Sequence, residues 1–298
     1  MNDFSAPSRR SVPHGCITPR SWMAPLGGLL LALVIWAPAV RAQGDIPTDP
    51  VQALDAERFG PGILIRALYQ LDSYRPSQAV VPATALLSHP EPDVARTAAW
   101  LLRRMDQGSG AAAAAAGVLG DAGAVPEARR SAAVALGELR SAAGQGALQT
   151  ALAGDADEGV RREAALALGA LHRPGAANAL AAALSGDASP SVRAAAARAL
   201  GDVPDSVASH LLGALGDGEA EVRRESLWAI GRKRFPGLLG NLLGALQNDR
   251  DCRVKAAAAW ALSRVGDATV KDALRAAASG SCRLAAQAAS FALAELER

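Results

Sequence analysis

The chain has 298 residues, of which half are apolar and 20% are charged, with a formal net charge of +2. This composition excludes a disordered chain and supplies enough apolar surface for a buried core. Ala and Leu dominate the apolar residues while aromatic residues reach only 4%, so the composition favours closely packed helices over sheets.

Residues 1–42 have the layout of a secretory signal peptide: a basic start, an apolar run over residues 22–40 and small residues before a cut after Ala42. The alternative is a retained membrane anchor, but Gly and Pro residues leave the apolar run short of the about 20 residues that a span needs. The sequence therefore predicts export to the periplasm or the extracellular space, with residues 43–50 as a flexible leader.

Removal of residues 1–42 leaves 27 basic and 28 acidic residues, so the mature chain is nearly neutral. Nucleic acids and anionic membranes require a basic surface. The overall charge thus predicts neither partner, although it leaves room for a local basic patch.

One phrase recurs from residue 94 to the end of the chain with a period of about 32 residues, for example Val160-Arg-Arg-Glu-Ala-Ala-Leu-Ala-Leu-Gly. Apolar residues at offsets zero, four, seven, eight and eleven form one face of an amphipathic helix. A second apolar segment precedes most phrases, as at residues 238–246, and a Gly-Asp or Asn-Asp turn follows it. The repeating unit is therefore helix, turn, helix, turn.

Such a helix pair cannot bury its apolar face alone, so neighbouring pairs must stack and share one core. The sequence predicts an all-α fold, an α-solenoid of about seven stacked helix pairs over residues 51–298. Residues 51–90 are expected to form an irregular N-terminal repeat or cap.

The copies at Asp155 with residues 160–171 and at Asp187 with residues 192–203 resemble the short HEAT repeats first grouped with phycobilisome bilin lyase subunits. The resemblance covers about residues 90–298 and implies an α-solenoid. Because this repeat occurs in many scaffolds and adaptors, it implies little about chemistry.

Catalytic signatures are missing from the sequence. HEAT-repeat metal hydroxylases of the deoxyhypusine type carry His-Glu pairs as iron ligands, whereas His89, His172 and His210 are isolated and no His-Glu dipeptide exists. There is also no phosphate-binding loop, dinucleotide glycine fingerprint or nucleophile elbow. We therefore expect no enzymatic activity, no metal and no cofactor.

Two cysteines, Cys252 and Cys282, remain after removal of the signal peptide, which contains Cys16. Both precede the second helix of adjacent repeats, and an oxidising compartment would allow them to pair. Equivalent positions in stacked helices can lie beyond the roughly 7 Å Cα limit for a disulfide, so the alternative is two separate turn cysteines.

An Arg follows the opening residue of most phrases, and an Asp occupies the turn before it. These Arg residues could form a ladder that binds anions, or each could pair with an acid of a turn in its own or a neighbouring repeat. We favour the structural pairing because the Asp and the Arg recur together. The residues are Asp155, Asp187, Asp217, Arg161, Arg193 and Arg223.

All three tryptophans of the mature chain occupy offset six, about 240° around the helix from the opening residue. This position lies opposite the buried stripe, so their rings are expected to be partly exposed on the concave face. Aromatic and Arg side chains are common anchors of protein interfaces. The predicted partner-binding residues are Trp228, Trp260, Phe291, Trp100, Arg224, Arg232 and Arg264.

The sequence thus predicts an exported, non-enzymatic HEAT-repeat scaffold that binds a protein or peptide on its concave C-terminal surface. One alternative for the aromatic residues is packing that merely thickens a core of small side chains. The alternative functions are a bilin-lyase-like enzyme or enzyme subunit, and the binding of cell-wall glycan.

Overall fold

A computed structural model describes residue 47 and residues 49–204, 207–235, 237–266 and 268–297. The predicted signal peptide, residues 1–42, lies outside the described residues, as does most of the predicted leader.

The described residues form fifteen α-helices and no strand. In chain order these are α1 Pro61–Leu71, α2 Val80–Ala85, α3 Pro92–Arg104, α4 Gly108–Gly120, α5 Pro126–Leu139, α6 Gln145–Gly154, α7 Glu158–Ala170, α8 Ala177–Gly186, α9 Pro190–Leu200, α10 Ala208–Ala214, α11 Ala220–Lys233, α12 Leu239–Asn248, α13 Cys252–Val265, α14 Lys271–Ala278 and α15 Arg283–Leu296. Short 3-10 helices cover Gln52–Leu54, Ser77–Ala79, Leu86–Ser88, Ala142–Gly144 and Ala268–Val270.

Local sequence signals explain where the helices begin. Proline, whose fixed φ suits the first turn, opens α1, α3, α5 and α9. At α7 the side chain of Asp157 accepts a hydrogen bond from the Val160 N–H at 2.9 Å, and at α13 that of Asp251 accepts one from the Arg253 N–H at 2.7 Å. These caps satisfy N–H groups that the helix itself leaves unpaired.

The helices alternate between two layers. Odd-numbered helices stack directly on one another and form the inner layer, while even-numbered helices cover them as the outer layer. The buried residues of α7, which include Val160, Ala164 and Leu168, fall on the predicted apolar stripe. This arrangement confirms the predicted all-α solenoid.

Seven helix pairs, α2 with α3 through α14 with α15, make up the regular part of the described stack. The helix α1 packs on α3 in the inner layer, and among the described residues only the 3-10 helix Gln52–Leu54 precedes it. The N-terminal unit therefore departs from the regular pattern.

Small residues bring the inner helices unusually close together. A Cβ added to Gly169 of α7 would lie 2.9 Å from the Cα and Cβ of Ala199 on α9, closer than real Cβ atoms approach. The equivalent contacts join other neighbouring inner helices, namely Gly137 with Ala167, Gly201 with Ala229 and Gly231 with Ala261. The glycine that closes four of the repeated phrases thus lets two backbones meet.

The two layers differ in how extensively their neighbouring helices contact each other. Neighbouring inner helices contact each other far more extensively than neighbouring outer helices do. From this difference we infer that the stack curves towards the inner layer, and we call that side the concave side. No helix among the described residues is both long and apolar enough to cross a bilayer.

Candidate partner-binding face

A repeated ion pair, here called the clamp, ties each of four inner helices to the turn before the next one. Arg161 donates from Nε and Nη2 to the carboxylate oxygens of Asp187 at 2.8 and 3.0 Å, and from Nη1 to the carbonyl oxygen of Asp155 at 2.9 Å. One guanidinium therefore holds two successive turns. The four clamps are Arg129–Asp155, Arg161–Asp187, Arg193–Asp217 and Arg223–Asp249.

The Arg residues that could have bound anions are instead paired with Asp residues in the clamps. Their side chains are only 8–17% exposed and those of the Asp partners only 7–14%. In every clamp the carboxylate comes from the turn of the following repeat, while the Arg residue's own turn supplies a carbonyl oxygen. The geometry is that of a bidentate pair, which uses both nitrogens of the guanidinium edge.

The clamps also shift the acidity of their aspartates. The hydrogen bonds from Arg129 lower the pKa of Asp155, against the raising effect of burial. At Asp187 burial is the largest influence and raises the pKa, but hydrogen bonds from Arg161 and from the Ser189 N–H outweigh it and leave the pKa below its usual value.

We expect the free energy of unfolding to fall in acid because the clamp aspartates have lowered pKa values in the folded chain. Such groups stabilise the fold fully above the pKa of an unfolded Asp, about 3.9, and this stabilisation is lost as the pH falls through the folded value. Urea unfolding between pH 3 and pH 7 should show a constant midpoint above about pH 5 and a decline below about pH 4. A midpoint that stays constant down to pH 3 would contradict this expectation.

The clamp is missing between the last two inner helices, α13 and α15. Lys255 occupies the place of the Arg and donates to the Gln247 carbonyl oxygen at 2.9 Å, and Gly280 occupies the place of the Asp. A disulfide between Cys252 and Cys282, with their Cα atoms 5.8 Å apart, joins these helices instead. The two cysteines whose pairing the sequence left open are thus bonded in the structure.

Residues at offset six of successive inner helices form a row along the concave side, here called the inner row. Most members are apolar and half-buried, and the aromatic members concentrate at the two ends. The sequence did not reveal that Tyr69 on α1 belongs to this row. From α1 to α15 the row consists of Tyr69, Trp100, Val134, Leu166, Arg198, Trp228, Trp260 and Phe291.

The C-terminal end of the inner row contains Trp228, Trp260 and Phe291, here called the aromatic face. The ring centroids of the two tryptophans lie 4.1 Å apart with a tilt of 46°. The Trp260 ring also packs over Gly231, where an added Cβ would collide with it. Both tryptophans are half-buried, while Phe291 on α15 is 43% exposed. The tryptophans therefore contribute to packing between repeats and still present part of their rings to solvent.

Trp100 lies in a separate cluster at the other end of the inner row. Its ring centroid is 5.3 Å from that of Tyr69, and the Arg104 guanidinium lies 5.2 Å from its centroid. The helices α5, α7 and α9 stand between this cluster and the aromatic face. The structure thus brings only three of the four predicted aromatic residues into one region.

The three Arg residues predicted beside the aromatic face differ in their partners. Arg224 binds Glu221 and Glu225 at 2.5 and 2.9 Å. Arg232 donates to the carbonyl oxygen of Arg198 at 2.7 Å, and its Nε lies 3.7 Å from Asp202. These two side chains already have partners within the chain.

Two exposed Arg side chains border the aromatic face and have no hydrogen-bond or ion-pair partner among the described residues. Arg264 lies one helical turn after Trp260, and Arg198 precedes Trp228 in the inner row. The sequence analysis included Arg264 among the partner-binding residues but not Arg198. The position of Arg198 at offset six could have indicated that it belongs to this face.

We expect Trp260→Ala to lower the free energy of unfolding by about 2 kcal/mol, because the substitution removes the contacts of the ring with Trp228 and with the backbone at Gly231. Phe291→Ala should cost less than about 1 kcal/mol because its ring is already partly hydrated. Urea unfolding of the two variants, with circular dichroism as the signal, measures both values. Equal losses would show that the two rings are packed alike.

Two of the histidines contact backbone groups. Nδ1 of His89 accepts a hydrogen bond from the Glu91 N–H at 3.0 Å, and Nδ1 of His172 lies 2.9 Å from the carbonyl oxygen of Asp202. Across the described part of the chain, no group of three or more His, Cys, Asp or Glu residues is placed to hold a metal ion.

Comparisons with solved structures identify proteins of similar fold. YibA of Escherichia coli is 17% identical over 93% of this chain and 100% of its own, with a TM-score of 0.55. A chain of the Kap95p–RanGDP complex is 15% identical over 83% of this chain and 41% of its own, with a TM-score of 0.57. A chain of the CpcE–CpcF complex of phycocyanin lyase from Nostoc sp. PCC7120 is 21% identical over 74% of this chain and 95% of its own, with a TM-score of 0.45.

No curated protein matches the chain in sequence. The sequence profile of HEAT repeats, in contrast, matches residues 121–201, 146–217 and 208–294, which together span more than half of the chain. These residues contain the helices α5 to α14, most of α15 and all four clamps. The chain therefore belongs to the HEAT-repeat family.

Proposed function

We propose that this HEAT-repeat chain is an exported, non-enzymatic scaffold that binds a protein or peptide on the aromatic face. The observation that carries the proposal is the contrast between this face and the clamps. The repeated charged residues are paired within the chain, whereas the largest side chains remain partly exposed on the concave side.

The chemistry of the aromatic face suits a protein partner. Aromatic rings bury a large area at a low cost in side-chain entropy, and residues of this kind, together with Arg, dominate the binding energy of protein interfaces. Trp228 and Trp260 form one platform because their rings touch, and Phe291 extends it onto the next helix. Arg198 and Arg264 at its border, which have no partner among the described residues, could pair with acidic or carbonyl groups of a bound protein.

The surrounding fold supports the same role. The Arg223–Asp249 clamp and the close contact of Gly231 with Ala261 fix the spacing of α11 and α13, and the disulfide joins α13 to α15, so the face is organised before a partner arrives. Preorganisation lowers the entropy cost of association and thereby raises affinity. The signal-peptide layout of residues 1–42 supports export, so the proposal includes a partner outside the cytoplasm.

The test is an affinity capture from the exported fraction with the mature chain and with a Phe291→Ala, Arg264→Ala double variant. Both side chains are exposed, so the variant should fold normally, and circular dichroism checks this. Val81→Ala is a matched control, since Val81 is 78% exposed on α2 in the outer layer. A protein retained by the mature chain and by the control, but lost by the double variant, supports the proposal.

Other outcomes distinguish the alternative functions. Equal retention by all three chains would show that the aromatic face is not the binding site. A pigment bound to the purified chain would favour a role similar to that of a bilin lyase. Saturable binding of isolated cell-wall glycan, abolished by Trp260→Ala, would favour recognition of sugar rings.

A further inference from the structure

The five interfaces between inner helices from α5 to α15 are held at the same place by two different kinds of link. In the first four, an Arg near the start of one helix reaches the Asp of the turn before the next. In the fifth, between α13 and α15, neither residue type is present, because Lys255 and Gly280 stand at the two positions. The only link at that position among the described residues is the disulfide.

We propose that the Cys252–Cys282 disulfide replaces the missing fifth clamp and acts as a redox-sensitive latch on the last repeat. In the oxidised chain the latch holds α14 and α15 against α13. In the reduced chain this repeat is released from its one link at the helix starts and opens more often, while the clamped repeats remain unchanged.

The position of the cysteines supports this role. Cys252 is the first residue of α13 and Cys282 is the N-cap of α15, so the bond joins the starts of two adjacent inner helices, as the clamps do. Their Cα separation of 5.8 Å lies within the usual range for a disulfide. The bond closes a segment of 30 residues that contains the whole outer helix α14. It therefore restrains one complete repeat.

A dithiol reductant can reach the disulfide because Cys252 is exposed at the surface. One thiolate of the reductant attacks the Cys252 sulfur, the disulfide bond breaks and Cys282 leaves as a thiolate that takes up a proton. The second thiol of the reductant then attacks the mixed disulfide and releases Cys252 as a thiol. Two electrons pass to the protein, and the reductant becomes a disulfide.

The last repeat is the part of the stack where such a latch has the greatest effect. Within the described residues, α15 packs on α13 and α14 and no further helix covers its other side. It buries only three residues, Ala285, Ala289 and Ala292, all with small side chains. Since α15 also bears Phe291, reduction would move one edge of the aromatic face, a consequence that rests on the proposed function.

The test compares amide hydrogen exchange in the oxidised mature chain and in the same chain reduced with dithiothreitol. We expect exchange in residues 271–296 to become about 10- to 100-fold faster on reduction, because closing a segment of this length restrains the open state strongly. Exchange in α7 and α9 should not change, because two clamps hold each of these helices. A Cys252→Ser, Cys282→Ser variant should resemble the reduced chain and should not respond to dithiothreitol.

A second comparison tests whether the disulfide stands in for a clamp. In the Cys252→Ser, Cys282→Ser background, Lys255→Arg with Gly280→Asp supplies the two missing clamp residues, and the backbone of Gly280 has no positive φ that would oppose an Asp. The pair should slow exchange in α15, whereas Lys255→Arg alone should not. Unchanged exchange on reduction, or faster exchange spread over all repeats, would overturn the latch. If Lys255→Arg with Gly280→Asp does not slow exchange in α15, the disulfide is not equivalent to a clamp.

Discussion

Asp187→Ala is expected to lower the free energy of unfolding by about 3 kcal/mol, since it leaves the guanidinium of Arg161 buried without its carboxylate partner. The side chains of Arg161 and Asp187 are 16% and 9% exposed, so water cannot fully replace the lost bonds. In the turn before α9, the Asp187 carboxylate also accepts a hydrogen bond of 2.8 Å from the Ser189 N–H, and the substitution removes this bond. Two sets of bonds are therefore lost together.

Urea unfolding of the mature chain and the variant measures this loss. The control is the double variant Arg161→Met, Asp187→Ala, in which no buried charge is left unpaired. Its loss should be clearly smaller than the sum of the two single losses, because the two side chains act as one unit. Additive losses, or a loss below about 0.5 kcal/mol for Asp187→Ala, would show that the clamp contributes little.

Gly169→Ala is expected to destabilise the chain by about 1–3 kcal/mol, although alanine is the better helix former. The new Cβ would lie 2.9 Å from backbone and side-chain atoms of Ala199, so α7 and α9 would have to move apart. Gly244→Ala is the matched control on the outer helix α12, where no atom lies within 4 Å of the new Cβ. There the higher helix propensity should stabilise the chain by about 0.5–1 kcal/mol.

Thermal or urea unfolding of the two alanine variants should therefore give shifts of opposite sign. If Gly169→Ala also stabilises the chain, the inner helices are not held at the contact distance described above. If both variants lose stability equally, the effect of Gly169→Ala does not depend on the inner layer.

Local patterns were enough to predict the helices and the type of fold. The recurring phrase fixed one face of each inner helix, and residues such as Val160 and Leu168 are buried as the apolar stripe requires. The Ala-rich segment over residues 111–116 forms part of the outer helix α4, as the high helix propensity of alanine favours. These features depend on residues close together in the chain, which is why the sequence reveals them.

Features that depend on the stacking of repeats were harder to predict. The sequence paired Arg161 with a turn acid but could not decide between Asp155 and Asp187, because both lie within reach of a helix start. The structure assigns the carboxylate of Asp187 and the carbonyl oxygen of Asp155 to the same guanidinium. The role of the glycine that ends four of the phrases also depends on the neighbouring helix, as does the position of Tyr69 beside Trp100.

The aromatic residues show the same limit. Their shared offset placed them on the concave side, but the contact of Trp228 with Trp260 and the packing of Trp260 over Gly231 depend on the distance between helices. From the offset alone, Trp100 and Trp228 were both predicted to belong to one binding surface. In the structure, three inner helices separate Trp100 from the aromatic face.

The most direct test of partner binding at the aromatic face is photo-crosslinking in intact cells from a benzophenone amino acid at position 291. The control is position 81 on α2, because Val81 is the most exposed large apolar residue among the described residues. The proposed function predicts a discrete cross-linked species from position 291 that is absent from position 81. No cross-link from position 291, or the same species from both positions, would contradict it.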